Sequence, residues 1–330
     1  MRAAVIGAGL AGAAAARALK AAGVEPVLFD KGRGPGGRLS TRRAETPLGE
    51  VRVDHGAQFV TAQSESFERF LRQAAREGAA ALWTGRLVSV DRYANVEPMR
   101  KKARYVGAPG MNALVRAGLA GFEPQFSRRV LKLAGGAGAW TVVFEDGSRE
   151  GPFERIALTL PPEQLIDCLA RSQGDFPDII TAAHQVEITP CWTVMALLET
   201  PFDPGFDGAQ IYGGGIRWMA RMASRPGRDS AEAVVIQASP DWSAGFMEED
   251  PGAVARMLCE EAFVRFNMPE PVWSAAHRWR YALVKTAAGS PFILDETGTV
   301  GAGGDWRLGG RAEYAWLSGE ALGAALANGR

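Results

Sequence analysis

The first thirty residues carry three short apolar patterns in a row. Residues 3–6, Ala-Ala-Val-Ile, form a continuous apolar run that stops at glycine, as a strand buried in a parallel sheet does. Residues 12–22 are rich in alanine and end at Gly23, which predicts a helix. Residues 26–29 form a second apolar run, closed by Asp30. Together they read as a strand–turn–helix–strand unit and set the fold class as α/β.

The pattern then diversifies. Ser66 reads as an N-cap ahead of Phe67, Phe70, Leu71 and Ala74, which share one helical face. Met111, Leu114, Val115 and Leu119 have the same spacing. Residues 140–144, the Asp146-Gly147 turn and the segment after it predict a hairpin. Residues 156–160 predict a strand halted by Pro161 and Pro162. From about 165 to 285 the chain is richer in tryptophan, with strands expected at 193–198 and 234–238. Asp250-Pro251 opens a helix that turns Val254, Leu258 and Ala262 inward. The last segment is glycine-rich at 301–306 and helical near 315–327. No internal repeat and no long linker interrupts this order.

Composition narrows the classes. A chain of 330 residues has room for about two domains. With 37 basic and 37 acidic residues it carries no net charge, which argues against nucleic acid or an anionic membrane as main partner. Basic clusters at 38–43 and 100–104 are by default solvated surface. Cys168, Cys191 and Cys259 form no CxxC pair, so reduced thiols and a cytoplasmic setting are expected. His55, His184 and His277 are scattered without metal-ligand spacing, so no metal is expected. The serine-hydrolase pattern Gly-x-Ser-x-Gly is absent. Arg2 and the apolar residues after it imitate a secretion signal, but Gly7, Gly9 and Gly12 interrupt them. No apolar run is long enough for a membrane span.

Those three glycines carry the first chemistry. Gly7 permits the tight turn of a GxGxxG motif, Gly9 lets a diphosphate approach the backbone, and Gly12 lets helix and strand pack closely. The helix start at Leu10 and Ala11 then offers unpaired N–H groups and a partial positive charge to the phosphates. Asp30 stands where a carboxylate accepts hydrogen bonds from ribose hydroxyls. The implied ligand is an adenine dinucleotide. In the next loop, residues 32–41, Gly36 and Gly37 allow close backbone approach and Arg38 can pair with a phosphate.

GxGxxG, then Asp30-Lys31, then the Gly36-Gly37-Arg38 loop resembles the glutathione-reductase-like flavoproteins of the amine oxidase type, a group that includes monoamine oxidases and renalases. Five stretches look like bacterial renalases in particular: FDKGRGPGGRLSTRR from Phe29, DHGAQFVTA from Asp54, YVGAPGMNAL from Tyr105, AHRWRYA from Ala276 and GGDWRLGGRAEYAWLSG from Gly303. The resemblance spans the chain and implies non-covalent FAD. It implies a doubly wound FAD-binding domain of residues 1–80, 104–164 and 286–330. A mixed α+β substrate domain on a mostly antiparallel sheet would take residues 81–103 and 165–285.

The resemblance also implies roles. Gly304 and Asp305 would meet the ribityl or diphosphate part of FAD, and the helix near Ala315, Trp316 and Leu317 would point its N-terminus at the flavin. Lys31, His55, Gly56, Ala57, Gln58 and Val130 would join them around the cofactor. Gln58, Phe59, Tyr105, Val106, Gly107 and Arg311 would border the reactive face, with Cys191, Trp192 and His277 across from them. His55 and Cys191 depart from the family pattern, which has a less polar residue and a hydroxyl residue there.

The function expected from this resemblance is an FAD-dependent oxidase. It would take hydride from aberrant dihydronicotinamide isomers, the 2- or 6-dihydro forms of NAD(P), with O2 as acceptor. A lone histidine beside apolar residues is more often structural than a base, which is the role favoured for His277. Two rivals stand beside this: an amine oxidase, for which Lys285 is the candidate lysine near the flavin, and a flavin-binding protein without turnover.

Overall fold

The computed structural model of the protein describes residues 1–228 and 231–329. The first apolar run becomes the strand Arg2–Ile6, hydrogen-bonded in parallel to Glu25–Phe29 on one side and Arg155–Leu158 on the other. Val300–Gly303 extends the sheet in parallel, and Phe292–Leu294 closes that edge antiparallel. Strand side chains alternate between faces, so Ala3 and Val5 enter one core and Ala4 and Ile6 another. Above the first face lie the helices Leu10–Ala21 and Ala312–Asn328. Across the second face lies an antiparallel three-stranded sheet of Val130–Ala134, Trp140–Phe144 and Arg149–Phe153.

The second layer is a seven-stranded sheet. Its spatial order is Trp273–Thr286, Glu187–Leu197, Ala233–Ala238, Ile216–Arg221, Gly208–Ile211, Leu87–Val90 and Val96–Pro98. Every neighbouring pair is antiparallel except Gly208–Ile211 with Leu87–Val90. One face packs on the helix Pro251–Phe266 through Val254, Leu258 and Ala262. The opposite face sends Met195, Leu197, Trp218 and Val235 into the same core as Val51, Val53 and Val60.

The expected α/β class, the 140–144 hairpin and the Asp250 cap are all present, with the Asp250 carboxylate accepting from Ala253 N–H at 2.9 Å. Two expectations are corrected. Ser64, not Ser66, caps the helix Glu65–Arg76, and the Ser66 hydroxyl binds Glu320 instead. The terminal helix starts at Ala312, three residues before Ala315. Helices Pro162–Ala170 and Pro177–His184 place Leu165, Leu169, Ile179 and Ala183 in the core of the first sheet, and the strand Glu187–Leu197 follows in the second layer. Among the described residues no helix is long and apolar enough to cross a membrane.

The first and last helices touch through glycine. A Cβ on Gly319 would lie 2.1 Å from Ala11 O, and one on Gly323 would lie 2.4 Å from Ala15 O. Both contacts are with backbone, which cannot swing aside. Gly319→Ala is therefore expected to destabilise by about 1–3 kcal/mol through overpacking. Gly245→Ala, whose added carbon meets nothing within 4 Å, should be neutral. Urea midpoints of the two variants against the parent protein check this.

Candidate functional site

The GxGxxG turn has the geometry its glycines predict. Gly7 has φ +105°, and its N–H donates to Phe29 O at 2.8 Å. A Cβ on Gly12 would stand 1.8 Å from Gly7 O, so helix and loop approach as only glycine permits. A Cβ on Gly9 would meet nothing within 4 Å, so this glycine faces open space. The helix that follows has no side-chain cap and no acid in its first turn. Unpaired amides, a positive helix end and an open cradle fit a diphosphate. Asp30 also braces the loops on both sides of it, its oxygens accepting from Ala8 N–H at 2.7 Å and Gly32 N–H at 2.6 Å. Val130 begins its strand close by, since Arg128 N–H donates to Asp30 O at 2.9 Å. Lys31 reaches Gln164 Oε1 at 2.8 Å.

The two glycine-rich loops, distant in sequence, meet through one ion pair. Arg38 follows Gly37, which has φ +54°, and forks onto Asp305, with Nη1 donating to Oδ2 at 2.7 Å and Nη2 to Oδ1. The motif alone assigns Arg38 to a phosphate; its two terminal nitrogens are instead committed to Asp305, which is 6% exposed. The Asp305 loop is held in turn by Gly304 N–H donating to Ser318 Oγ at 2.7 Å.

Residues 54–59 run between the two layers. Ala57 N–H donates to Arg38 O at 2.8 Å, and a Cβ on Gly56 would lie 2.1 Å from the same oxygen. At the start of the segment, fully buried Asp54 receives Arg225 at 3.1 Å, Arg228, Thr41 Oγ1 at 2.7 Å and Met111 N–H at 2.9 Å. Burial alone would raise its carboxyl, but the Arg228 and Arg225 guanidiniums, helped by these donors, hold it below the usual range. Gln58 has both ends of its amide occupied: Nε2 donates to Asp54 O at 3.0 Å and Gly56 O at 2.9 Å, and Oε1 accepts from Arg225. It shapes the loop rather than offering a free amide to a ligand.

The segment lies along one row of the seven-stranded sheet. Trp218, Gln237, Thr193 and His277 are partners across successive strands and so share one face. His55 packs edge-on to His277 at 4.8 Å, Gly56 O accepts from Gln237 Nε2 at 2.8 Å, and Phe59 sits 5.7 Å from Trp218. Trp279 completes the corner, 5.2 Å from His55 and 4.4 Å from His277, with its Nε1 donating to His55 O at 2.8 Å. Burial, and then neighbouring His277 and Arg42, push the His55 imidazole down to about 4. Burial and Arg42 lower His277 as well. Both rings are neutral at pH 7, and buried His55 Nδ1 has no hydrogen-bond partner.

Strand alternation separates the expected pair Cys191 and Trp192. Cys191 lies on the His277 face, its thiol pushed up to about 11 by burial. Trp192 points the other way, fully buried beside Val194 and Leu258, with Nε1 donating to Phe246 O at 2.9 Å. It belongs to the outer core and not to the wall. Val106 is likewise fully buried, and Gly107 O accepts from Arg228 at 2.8 Å, so only Tyr105 of that stretch is partly open.

The terminal helix also differs from expectation. Trp316 stacks on Phe70 at 4.1 Å and donates to Ser66 Oγ at 3.1 Å, so its ring packs against the Glu65–Arg76 helix. Ala315 N–H is taken by Arg311 O at 3.2 Å, and Leu317 packs at the edge of the core. Buried Glu313 already occupies the first turn and accepts from Gln63 N–H at 2.7 Å. Burial would raise its carboxyl, but the Ser64 and Gln63 amides and Arg311 outweigh it. Arg311 binds Gln63 Oε1 at 2.6 Å and Thr61 Oγ1 at 3.0 Å, so its charge is engaged within the protein. Lys285, 62% exposed, pairs with Glu187 at 2.7 Å.

Asp54 and Trp279 lie inside two of the quoted stretches without a role assigned to them, and Arg225, Arg228 and Gln237 lie outside all five. A faint trace exists for one of them: Gln237 interrupts the apolar run AVVIQA. Among the described residues no cluster of His, Cys, Asp or Glu could hold a metal.

Residues 5–74 match the NAD(P)-binding Rossmann-like domain family. The whole fold is shared with solved oxidases. Cyclohexylamine oxidase from Brevibacterium oxydans IH-35A superposes with TM-score 0.75 at 12% identity, over 99% of this chain and 99% of that one. Putrescine oxidase bound to putrescine gives 0.74 at 13%, over 98% of each chain. A candidate protoporphyrinogen oxidase from Exiguobacterium sp. 255-15 gives 0.76 at 10%, over 100% of this chain and 99% of that one. The chain thus carries a Rossmann-like segment within a fold shared with putrescine oxidase and cyclohexylamine oxidase.

Unfolding measurements test the buried charges. Asp54→Asn leaves two guanidiniums without their carboxylate and is expected to cost about 3–5 kcal/mol. Arg86→Gln, which breaks an exposed pair with Asp203 at 3.4 Å, should cost under about 1 kcal/mol. Urea midpoints compare them. For His55, the folded-state value of about 4 lies below the ordinary 6.5, so the unfolded chain binds the proton first. Its contribution is complete above pH 6.5 and is lost as pH falls toward 4, by about 3 kcal/mol at most. His55→Phe should flatten the stability–pH curve across that window.

Proposed function

We propose that this chain is an FAD-dependent oxidoreductase that takes hydride from a dihydronicotinamide isomer, the 2- or 6-dihydro form of NAD(P), with O2 as final acceptor. The uncapped helix, the open face of Gly9 and Asp30 would hold the adenosine diphosphate half of FAD. Arg38 and Asp305, locked to each other, would shape the cradle for the rest. On this reading the dinucleotide domain comprises residues 1–80, 104–186 and 287–329. When bound, FAD supplies a two-electron acceptor that hands its electrons to O2, giving hydrogen peroxide and NAD(P)+.

The neutral wall carries the choice of substrate. His55 and His277 are uncharged, the Cys191 thiol is protonated, and Trp279 offers a flat aromatic surface. Such a wall suits a flat, uncharged dihydropyridine ring. Loss of hydride from that ring leaves an aromatic cation and requires no base. An amine substrate calls for a lysine-held water near the flavin, and the candidate for it, Lys285, is turned outward to Glu187. The residues' part is then to stack the ring and exclude water.

Amine oxidation is the second reading, favoured by the fold shared with putrescine oxidase and cyclohexylamine oxidase. Anaerobic mixing separates the two. The purified protein is expected to show flavin absorption bands that bleach rapidly with borohydride-generated dihydro-NAD isomers and not with simple amines. Bleaching by amines alone would reject the dihydronicotinamide reading. Flavin bands that neither donor bleaches would leave a flavin-binding protein without turnover.

A further inference from the structure

Among the described residues Arg104 is a buried cation without a counter-ion. It is 8% exposed, its Nε is buried with no hydrogen-bond partner, and its one bond is from Nη2 to Arg100 O at 3.1 Å. Burial lowers its affinity for the proton, and no carboxylate opposes that effect. The other buried arginines are better met: Arg225 has Asp54, and Arg307, which likewise has no acid among the described residues, makes three hydrogen bonds, to Ser290 O, Ser290 Oγ and Phe292 O. A desolvated guanidinium left unmatched is costly, and an anion is the partner that would match it.

The surroundings favour a ligand rather than a purely structural stack. The guanidinium lies 5.4 Å over the Phe59 ring. Trp218, with its ring 5.7 Å from that of Phe59, holds a second buried donor, Nε1, that has no partner among the described residues. Exposed Arg100, Lys101 and Lys102 precede Arg104 in a loop joining the edge strand Val96–Pro98 of the seven-stranded sheet to Tyr105–Gly107. This loop crosses between the layers. Phe59 follows Ala57 by two residues, about 7 Å of chain at most, and Ala57 is bonded to Arg38. The unmatched charge therefore stacks on the same 54–59 segment that is tied to the Arg38 loop at Ala57.

We propose that Arg104, with Arg100, Lys101 and Lys102, forms a phosphate subsite that holds the diphosphate of a dinucleotide substrate while its ring lies on the His277–Trp279 wall. This rests on the dihydronicotinamide reading. Arg104 would be the fork that fixes the anion, since a planar guanidinium pairs with phosphate oxygens two at a time. The three exposed cations would draw the substrate in and add a salt-dependent contribution.

Calorimetry on FAD-saturated protein tests the subsite without turnover, using ADP-ribose and inorganic pyrophosphate as probes. Arg104→Gln is expected to weaken ADP-ribose at least tenfold. Arg104→Lys should lose less, because it keeps the charge but not the fork. The triple variant Arg100→Gln, Lys101→Gln, Lys102→Gln should remove most of the salt dependence while leaving the thermal midpoint unchanged. In turnover, Arg104→Gln should raise KM for dihydro-NAD isomers about tenfold at similar kcat and leave the phosphate-free dihydronicotinamide ribosides unaffected. Equal ADP-ribose affinity in parent, Arg104→Gln and Arg104→Lys proteins would overturn the subsite even if dihydro-NAD isomers are oxidised. Equal loss for dinucleotide and riboside would overturn it too, by making Arg104 structural. Arginine-dependent ADP-ribose binding without any oxidation of dihydronicotinamides would uphold the phosphate subsite and remove the substrate reading instead.

Discussion

One buried carboxylate holds the two layers of this protein together. Asp54 belongs to the dinucleotide layer, and Arg225 and Arg228 arrive from the loop after the Ile216–Arg221 strand of the other. All three side chains are essentially removed from water. An ion cluster in that position is an inefficient source of stability compared with apolar packing, because desolvation offsets much of the attraction. Its value is in selecting geometry. A guanidinium that leaves Asp54 gives up its ion pair inside a buried site, so the layers have one preferred way to sit together. Residues 55–59 follow directly from that anchor, and their placement along the Trp218–Gln237–Thr193–His277 row is a consequence of it.

The same economy separates the two helix ends near the proposed cofactor. The first helix keeps its N-terminus free of caps and acids, which costs local stability and preserves a positive end for an external anion. The terminal helix carries Glu313 in its first turn, and that carboxylate is spent on the amides before the Glu65–Arg76 helix. One helix end therefore keeps its amides and charge free, and the other spends them within the protein. The resemblance implied that both serve the cofactor, whereas the side chain in the first turn decides how much of the dipole remains available.

What was legible in the sequence was local. GxGxxG, the alanine-rich helix and Asp30 all act within thirty residues, and each glycine was found in the role its missing Cβ implies. The Arg38 and Asp305 loops were both recognised, but their mutual pairing was not, because nothing in either stretch encodes a partner 267 positions away. Trp192 shows the same limit at shorter range. Adjacent residues on a strand face opposite ways, so naming Cys191 and Trp192 together was bound to misplace one of them, and only the register with His277 decides which. The Asp54 cluster was invisible for the same reason: its arginines look like ordinary surface charge until the fold buries them.

The charges left after these pairings give the site its polarity. Arg38, Arg225, Arg228 and Arg311 are all matched by acids within the protein, and the two histidines of the wall are neutral. Among the described residues the cations near the wall without an ion pair are Arg42, whose charge reaches both histidines, and Arg104 with its loop, so the unmatched charge is positive. A ligand that satisfied this arrangement would bring no cation to the wall and would carry an anionic group. A simple protonated amine has the opposite distribution, with its charge at the reacting carbon's neighbour. A reduced nicotinamide dinucleotide has the matching one: an uncharged ring and a diphosphate tail. The distribution of unmatched charge therefore bears on substrate choice independently of the cofactor motif, which is common to oxidases of very different donors.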